Sequence, residues 1–150
     1  MAERGGGRRI LIVEDQAILG MELEFALAQA GHEVVGIAVD AAQALTLAAE
    51  TAPEFAIVDI NLKDGRTGAA IARAMVVDYG ITVLFATAEP ELIPDEFAGA
   101  LGVVGKPYST PSIQGAVDYL LALRDGRDPG PAPPQLRLAP WIAGTPSGLG

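Results

Sequence analysis

The feature that most restricts this chain is an alternation repeated five times. Short, uninterrupted apolar runs, "RILIVED", "EVVGIAVD", "FAIVDI", "ITVLFATAE" and "VVGKPY", are separated by longer segments. Three of these, "QAILGMELEFALAQAGH", "AAQALTLAAE" and "TGAAIARAMVVDYG", have helical spacing, and "TPSIQGAVDYLLALRDG" follows the last run. Runs that stay apolar rather than alternating with polar residues are strands covered on both faces. The alternation therefore predicts an α/β fold: a doubly wound, five-stranded parallel sheet of (βα)5 flavodoxin-like type, in order 2-1-3-4-5.

Local punctuation agrees. Ile18, Leu19, Leu23, Phe25, Ala26, Leu27 and Ala30 supply an apolar face for the first helix, and Gly31 stops it. Asp40 is placed to cap the second helix, which Pro53 ends. Gly80 closes the third. Thr110 is the expected N-cap of the last helix, with Pro111 in its first turn. In the fourth connection, Pro90 and Pro94 predict a short or irregular helix. From Arg127 the chain turns rich in Pro and Gly and loses any period. The expected organisation is a flexible N-terminus over 1–7, one domain over 8–125 and a loosely attached Pro/Gly-rich tail over 126–150. Leu136, Leu138, Trp141 and Ile142 are the tail residues able to dock on a surface.

Composition excludes several functions. Among 150 residues the net charge is −9 and the pI about 4.4, so phosphate backbones repel the chain and direct nucleic-acid binding is not expected. The short "RGGGRR" stretch reads as a flexible lead-in. Mean hydropathy is +0.33, yet no apolar run reaches membrane-spanning length, and the N-terminus has no signal-peptide core. No cysteine is present, which fits a cytoplasmic protein. His32 is the single histidine, expected at an exposed turn, so a histidine-rich metal site and an ordinary Ser-His-Asp triad are both excluded.

The polar residues fall at strand ends. Glu14 and Asp15 follow the first apolar run, Asp59 the third, Thr87 the fourth and Lys106-Pro107 the fifth. In an open parallel sheet those ends face one crevice, where the strand order reverses between strands one and three. At about 4 Å and an effective dielectric of about 20, each pair of carboxylates repels by roughly 4 kcal/mol. Lys106 offsets part of this, and a divalent cation would offset more. The donors are all oxygen: Asp15, Asp59, the Asn61 backbone carbonyl, and Glu14 through a water. That set suits Mg²⁺ better than zinc. A carboxylate beside a metal, a lysine and a hydroxyl meets the needs of phosphoryl transfer. Asp59 is the expected phosphoacceptor, and Thr87 and Lys106 the groups that grip the phosphoryl oxygens.

"LIVED", "VDINL", "LFATAE" and "VVGKPY" resemble the receiver domain of two-component response regulators, over about residues 8 to 125. The resemblance implies phosphorylation of Asp59 by a histidine kinase, Mg²⁺ dependence and a cis Lys106-Pro107 bond. Phe85-Ala86-Thr87 with Lys106-Pro107-Tyr108 resembles the FAT GUY group of stand-alone receivers, although Ala88 stands where a glycine is usual. Three residues before the lysine, where many receivers carry a Tyr or Phe that swings inward, this chain has Val103. The switch set is therefore Thr87, Val103 and Tyr108, with movement expected in "AEPELIPDEF".

Each residue also has an ordinary structural role open to it. Asp15 can cap a helix, Asp59 can open an Asx-turn, Thr87 can bond backbone, Lys106 can be a solvated charge, and Asn61 a turn former. Three functions follow. The first is a stand-alone phosphoacceptor, signalling through a downstream target or phosphotransfer protein, or acting as a phosphate sink. It catalyses only its own phosphorylation and dephosphorylation. Its partners would meet helix four, strand five and helix five, and its kinase helix one and the strand-five exit. A homodimer through Ala116, Tyr119 and Leu120 is a further expectation. The second is a phosphorylation-independent interaction or dimerisation module, which the Trp141 tail could serve. The third is a flavodoxin-like cofactor binder, which the acidic Glu14-Asp15 loop disfavours.

Overall fold

The computed structural model describes residues 7–143. Residues 4–6 of the "RGGGRR" stretch and residues 144–150 of the tail lie outside the described residues. The strands are β1 (Arg9–Val13), β2 (Glu33–Ala38), β3 (Phe55–Val58), β4 (Thr82–Thr87), β5 (Gly102–Gly105) and β6 (Leu136–Leu138). The helices are α1 (Ala17–Gln29), α2 (Ala41–Thr51), α3 (Gly68–Tyr79), α4 (Thr110–Arg124) and the short α5 (Pro140–Ala143). The sheet order is β2-β1-β3-β4-β5-β6. The five strands read from the sequence are parallel and in the expected order. The five-stranded count is corrected to six: β6 adds antiparallel to the β5 edge, so part of the Pro/Gly-rich tail is docked.

Successive strand residues point to opposite faces. Leu11, Val13, Ala56, Val58, Val83 and Phe85 pack with Ala44 and Ala48 of α2 and Ile71, Ala72 and Met75 of α3. Ile10, Ile12, Phe55, Ile57, Leu84 and Val104 pack on the other face with Leu23, Ala26 and Leu27 of α1 and Ile113, Val117 and Leu120 of α4. β1, β3 and β4 bury both sides, which is why their sequences run apolar without alternation. No helix among the described residues is long and apolar enough to cross a membrane.

Four local expectations change. Ile18, Phe25 and Ala30, assigned to the buried face of α1, are exposed, and Ile18 and Phe25 form an apolar stripe with Met21. The N-cap of α4 is Ser109, not Thr110. Ser109 Oγ accepts from the Ser112 N–H, and Ser112 Oγ accepts from the Ser109 N–H, each at 3.1 Å. This reciprocal pair satisfies two otherwise orphaned donors, leaving Thr110 as the first helical residue. His32 is tucked in rather than exposed: its Nδ1 accepts from the Arg8 N–H, and its Nε2 lies 3.8 Å from Asp118. Ala116 and Leu120, offered as a dimer face, are wholly buried in the core.

The fourth connection is irregular, as its prolines imply. It consists of 3₁₀ turns at Pro90–Leu92 and Phe97–Gly99. Phe97 and Ala98 adopt left-handed backbone (φ 57° and 50°), a conformation that costs a non-glycine residue roughly 1–3 kcal/mol.

Candidate functional site

The ladder of backbone bonds that forms the sheet continues one residue past the strand ends and sets the site. The Glu14 N–H donates to the Ala38 carbonyl at 2.8 Å, and the Asp59 N–H to the Val13 carbonyl at 3.0 Å. Across the sheet, the Lys106 N–H donates to the Thr87 carbonyl at 2.9 Å. These bonds fix where each polar side chain begins. A further constraint comes from α3. A Cβ on Gly68 would lie 2.1 Å from the Asp59 carbonyl oxygen, so only glycine lets the helix approach this closely.

The carboxylates of Glu14, Asp15 and Asp59 converge, each offering an oxygen within 4.8 Å of the others. Lys106 Nζ donates to Glu14 Oε1 at 2.7 Å and to Asp59 Oδ2 at 2.8 Å. Glu14, Asp59 and Thr87 are the buried polar side chains among the described residues. The second oxygen of each bridged carboxylate takes a backbone donor: Gln16 N–H to Glu14 Oε2 at 3.1 Å, and Asn61 N–H to Asp59 Oδ1 at 3.3 Å. Burial pushes the Glu14 carboxyl above its ordinary value, against the pull of Lys106. Burial alone would lower the Lys106 ammonium, but its bonds to Asp59 and Glu14 prevail and hold it above the usual lysine range. Three carboxylates facing one ammonium leave an excess of two negative charges. An all-oxygen set with that imbalance fits a hard divalent cation.

The remaining expected residues are placed less directly. Thr87 Oγ1 accepts from the Glu89 N–H at 3.1 Å, forming a turn at the strand end. Val103 lies in the core beneath the irregular connection. Tyr108 is partly buried against the α1 and α4 side, and its hydroxyl has no hydrogen-bond partner among the described residues. Burial, followed by the fields of Glu14, Asp59 and Glu22, raises the phenol far above its ordinary value. The Lys106-Pro107 bond is cis. Glu89 is a site neighbour that sequence reasoning passed over: its carboxylate also accepts from Asn61 Nδ2. Its place two residues past Thr87, at the same strand end, was the available signal.

Comparison with known proteins bears on this arrangement. The family described as the response regulator receiver domain matches residues 10–118. The chain is 34% identical to the transcriptional regulatory protein PdtaR of Mycobacterium tuberculosis, over 77% of this chain and 57% of that protein. It is 29% identical to the phyllosphere-induced regulator PhyR of Methylorubrum extorquens, over 75% of this chain and 43% of that one. The chain thus spans about half the length of these curated relatives. The solved receiver domain of the PhyR response regulator from Erythrobacter litoralis superposes with a TM-score of 0.71 at 27% identity, covering 79% of this chain and 92% of that domain. Similarity to PhyR and PdtaR fits the FAT GUY group suggested by Phe85-Ala86-Thr87. Strand order, clustered strand-end side chains and the match over residues 10–118 agree, and the chain belongs to the response regulator receiver domain family.

Proposed function

We propose that this receiver accepts a phosphoryl group from a histidine kinase on Asp59, requires Mg²⁺, and signals through protein–protein contacts or drains phosphate from the kinase. The observation that carries the reading is the bridging of Glu14 and Asp59 by Lys106, with Asp15 beside them. Asp15, Asp59 and the Asn61 carbonyl would hold Mg²⁺, with Glu14 acting through a water. The ion, when bound, would supply positive charge for the crowded carboxylates and the phosphoryl oxygens.

The chain's own groups do the rest. An Asp59 oxygen forms the new O–P bond as the P–N bond of a kinase phosphohistidine breaks, and the imidazole nitrogen departs. Lys106 already holds the Asp59 oxygen and orients the carboxylate. Its ammonium then balances charge on the phosphoryl group, and the Thr87 hydroxyl donates to another phosphoryl oxygen. Ile18, Met21 and Phe25, exposed on α1 beside Thr110, offer the kinase an apolar docking face. The output partners are proteins rather than nucleic acid, given the charge of −9, and the proposed location is cytoplasmic.

The test is to incubate the protein with Mg²⁺ and a small phosphodonor and measure its intact mass. The reading expects one added phosphoryl group, lost in Asp59→Asn and in the presence of a chelator. An unchanged mass would return the chain to the phosphorylation-independent interaction or dimerisation module.

A further inference from the structure

We infer that the β5 edge is a docking surface for an extended strand of a partner protein, and that residues 136–142 of this chain occupy it in cis. The edge of a sheet is a row of unpaired backbone groups, a template that proteins either cover or use. Here the cover is slight. β6 pairs only three residues: Gly102 opposite Leu138, Val103 opposite Arg137, and Val104 opposite Leu136. One more backbone bond, Ala139 N–H to the Leu101 carbonyl at 2.9 Å, extends it. Residues 125–135, which join it to α4, carry no regular structure and are mostly exposed. This is a short strand at the margin of the sheet, joined to α4 by an irregular and mostly exposed segment.

The covered surface defines the chemistry of its occupant. Leu136 is buried in the cluster that holds Val104 and Leu120. Leu138 packs at the margin of that cluster, and the Arg137 guanidinium sits 5.4 Å from the Phe97 ring centroid on the opposite face. A Cβ on Gly102 would lie 2.8 Å from a Leu136 methyl and 3.0 Å from the Arg137 carbonyl, so the absent side chain makes room for a strand. The edge therefore accepts an apolar–basic–apolar segment in antiparallel register, followed by a small residue buried as Ala139 is. A partner carrying that pattern would pair with β5 once the tail leaves.

The occupant also touches the strained connection. Phe97, under Arg137, is one of the connection's two left-handed non-glycine residues. At its other end the connection is held by Glu89, through Thr87 Oγ1 and Asn61 Nδ2. The connection is tethered at one end beside Asp59 and at the other by the tail. Drawing the Thr87 hydroxyl toward a phosphoryl group takes away one of the two bonds of the first tether, the Glu89 N–H to Thr87 Oγ1, and so loosens the connection that carries the second. This coupling rests on the phosphoacceptor reading; occupancy of the edge does not.

The probe is a fluorescent peptide of residues 133–143, used with the full chain and read by anisotropy. A tethered strand competes at roughly millimolar effective concentration, so for an intrinsic strand affinity of about 0.1 mM the peptide should bind a Leu136→Ala/Leu138→Ala variant about tenfold more tightly than the unaltered chain. The chain has no cysteine, so Val103→Cys/Arg137→Cys can be oxidised to pin the tail. Pinned protein should not bind, and reducing the same sample should restore binding. With Mg²⁺ and a phosphodonor, affinity for the unaltered chain should rise severalfold. Equal binding to pinned and loosened proteins, or none to the loosened one, overturns the inference. Covalent dimers on oxidation also overturn it, assigning the edge to a second copy. A confirmed mass increase without tighter binding refutes the coupling alone. No mass increase refutes the Asp59 reading, while the pinned and loosened proteins still decide the edge.

Discussion

Replacing Lys106 by Met removes the cation and keeps most of the bulk. Lys106 bridges two buried carboxylates at 2.7 and 2.8 Å, with its own side chain 11% exposed. At an effective dielectric of about 20, each contact is worth roughly 6 kcal/mol of gross attraction, much of it offset by desolvation. Removing one partner of a buried pair costs about 3–5 kcal/mol, because the charge left behind is uncompensated. Glu14 can escape part of that by protonating, since burial already raises its carboxyl. A net loss of about 3 kcal/mol lowers the melting temperature of a domain this size by roughly 6–12 °C. The assay is thermal unfolding of Lys106→Met and unaltered protein at pH 7.5, in chelator and in Mg²⁺. Mg²⁺ should stabilise both, and the variant by more, because a divalent ion meets a larger charge excess there. A variant as stable as the unaltered protein in chelator, or an equal Mg²⁺ gain in both, would refute the reasoning.

Three further outcomes are expected. Gly68→Ala places a Cβ 2.1 Å from the Asp59 carbonyl; it should destabilise by about 1–3 kcal/mol, as overpacking does, and reduce phosphoryl incorporation by mass. Glu14, whose folded carboxyl is raised, binds more protons folded than unfolded, so its contribution to stability falls as pH rises from about 4.5 toward its raised folded value. In chelator, the stability of the unaltered protein relative to Glu14→Gln should rise on acidifying from pH 7 to about 5, read by urea unfolding. Tyr108→Phe removes an enclosed hydroxyl without a partner and should leave stability unchanged or raise it by about 1 kcal/mol, since no hydrogen bond is lost.

The sheet was legible because its signal is strong and local. Ile10 to Val13 and Phe55 to Val58 are buried on both faces, and nothing but an unbroken apolar run serves there. The strand-end side chains followed, since parallel pairing carries Glu14 and Asp59 to the same rim whatever the loops do. The helix-one face was not legible. Ile18, Met21 and Phe25 are as apolar as Leu23 and Leu27, so the pattern could not say which side faced the core. β6 escaped for a different reason. Its three residues pair only because Gly102 leaves room, a contact between positions more than thirty residues apart. The Thr110 cap was misplaced by one residue because Ser109 and Thr110 are both good caps, and the choice turned on Ser112 reciprocating. His32 was drawn inward by Arg8 and Asp118, neither adjacent in sequence.

The central claim is that Glu14, Asp15 and Asp59 act together on one divalent ion. Substituting Mn²⁺ for Mg²⁺ and recording amide line-broadening by NMR tests it most directly, since broadening falls steeply with distance from the paramagnetic ion. The account predicts loss of signal confined to residues around Glu14–Gln16, Asp59–Asn61, Thr87–Glu89 and Lys106, abolished in Asp15→Asn. Broadening centred elsewhere on the acidic surface, or unchanged in Asp15→Asn, would contradict it.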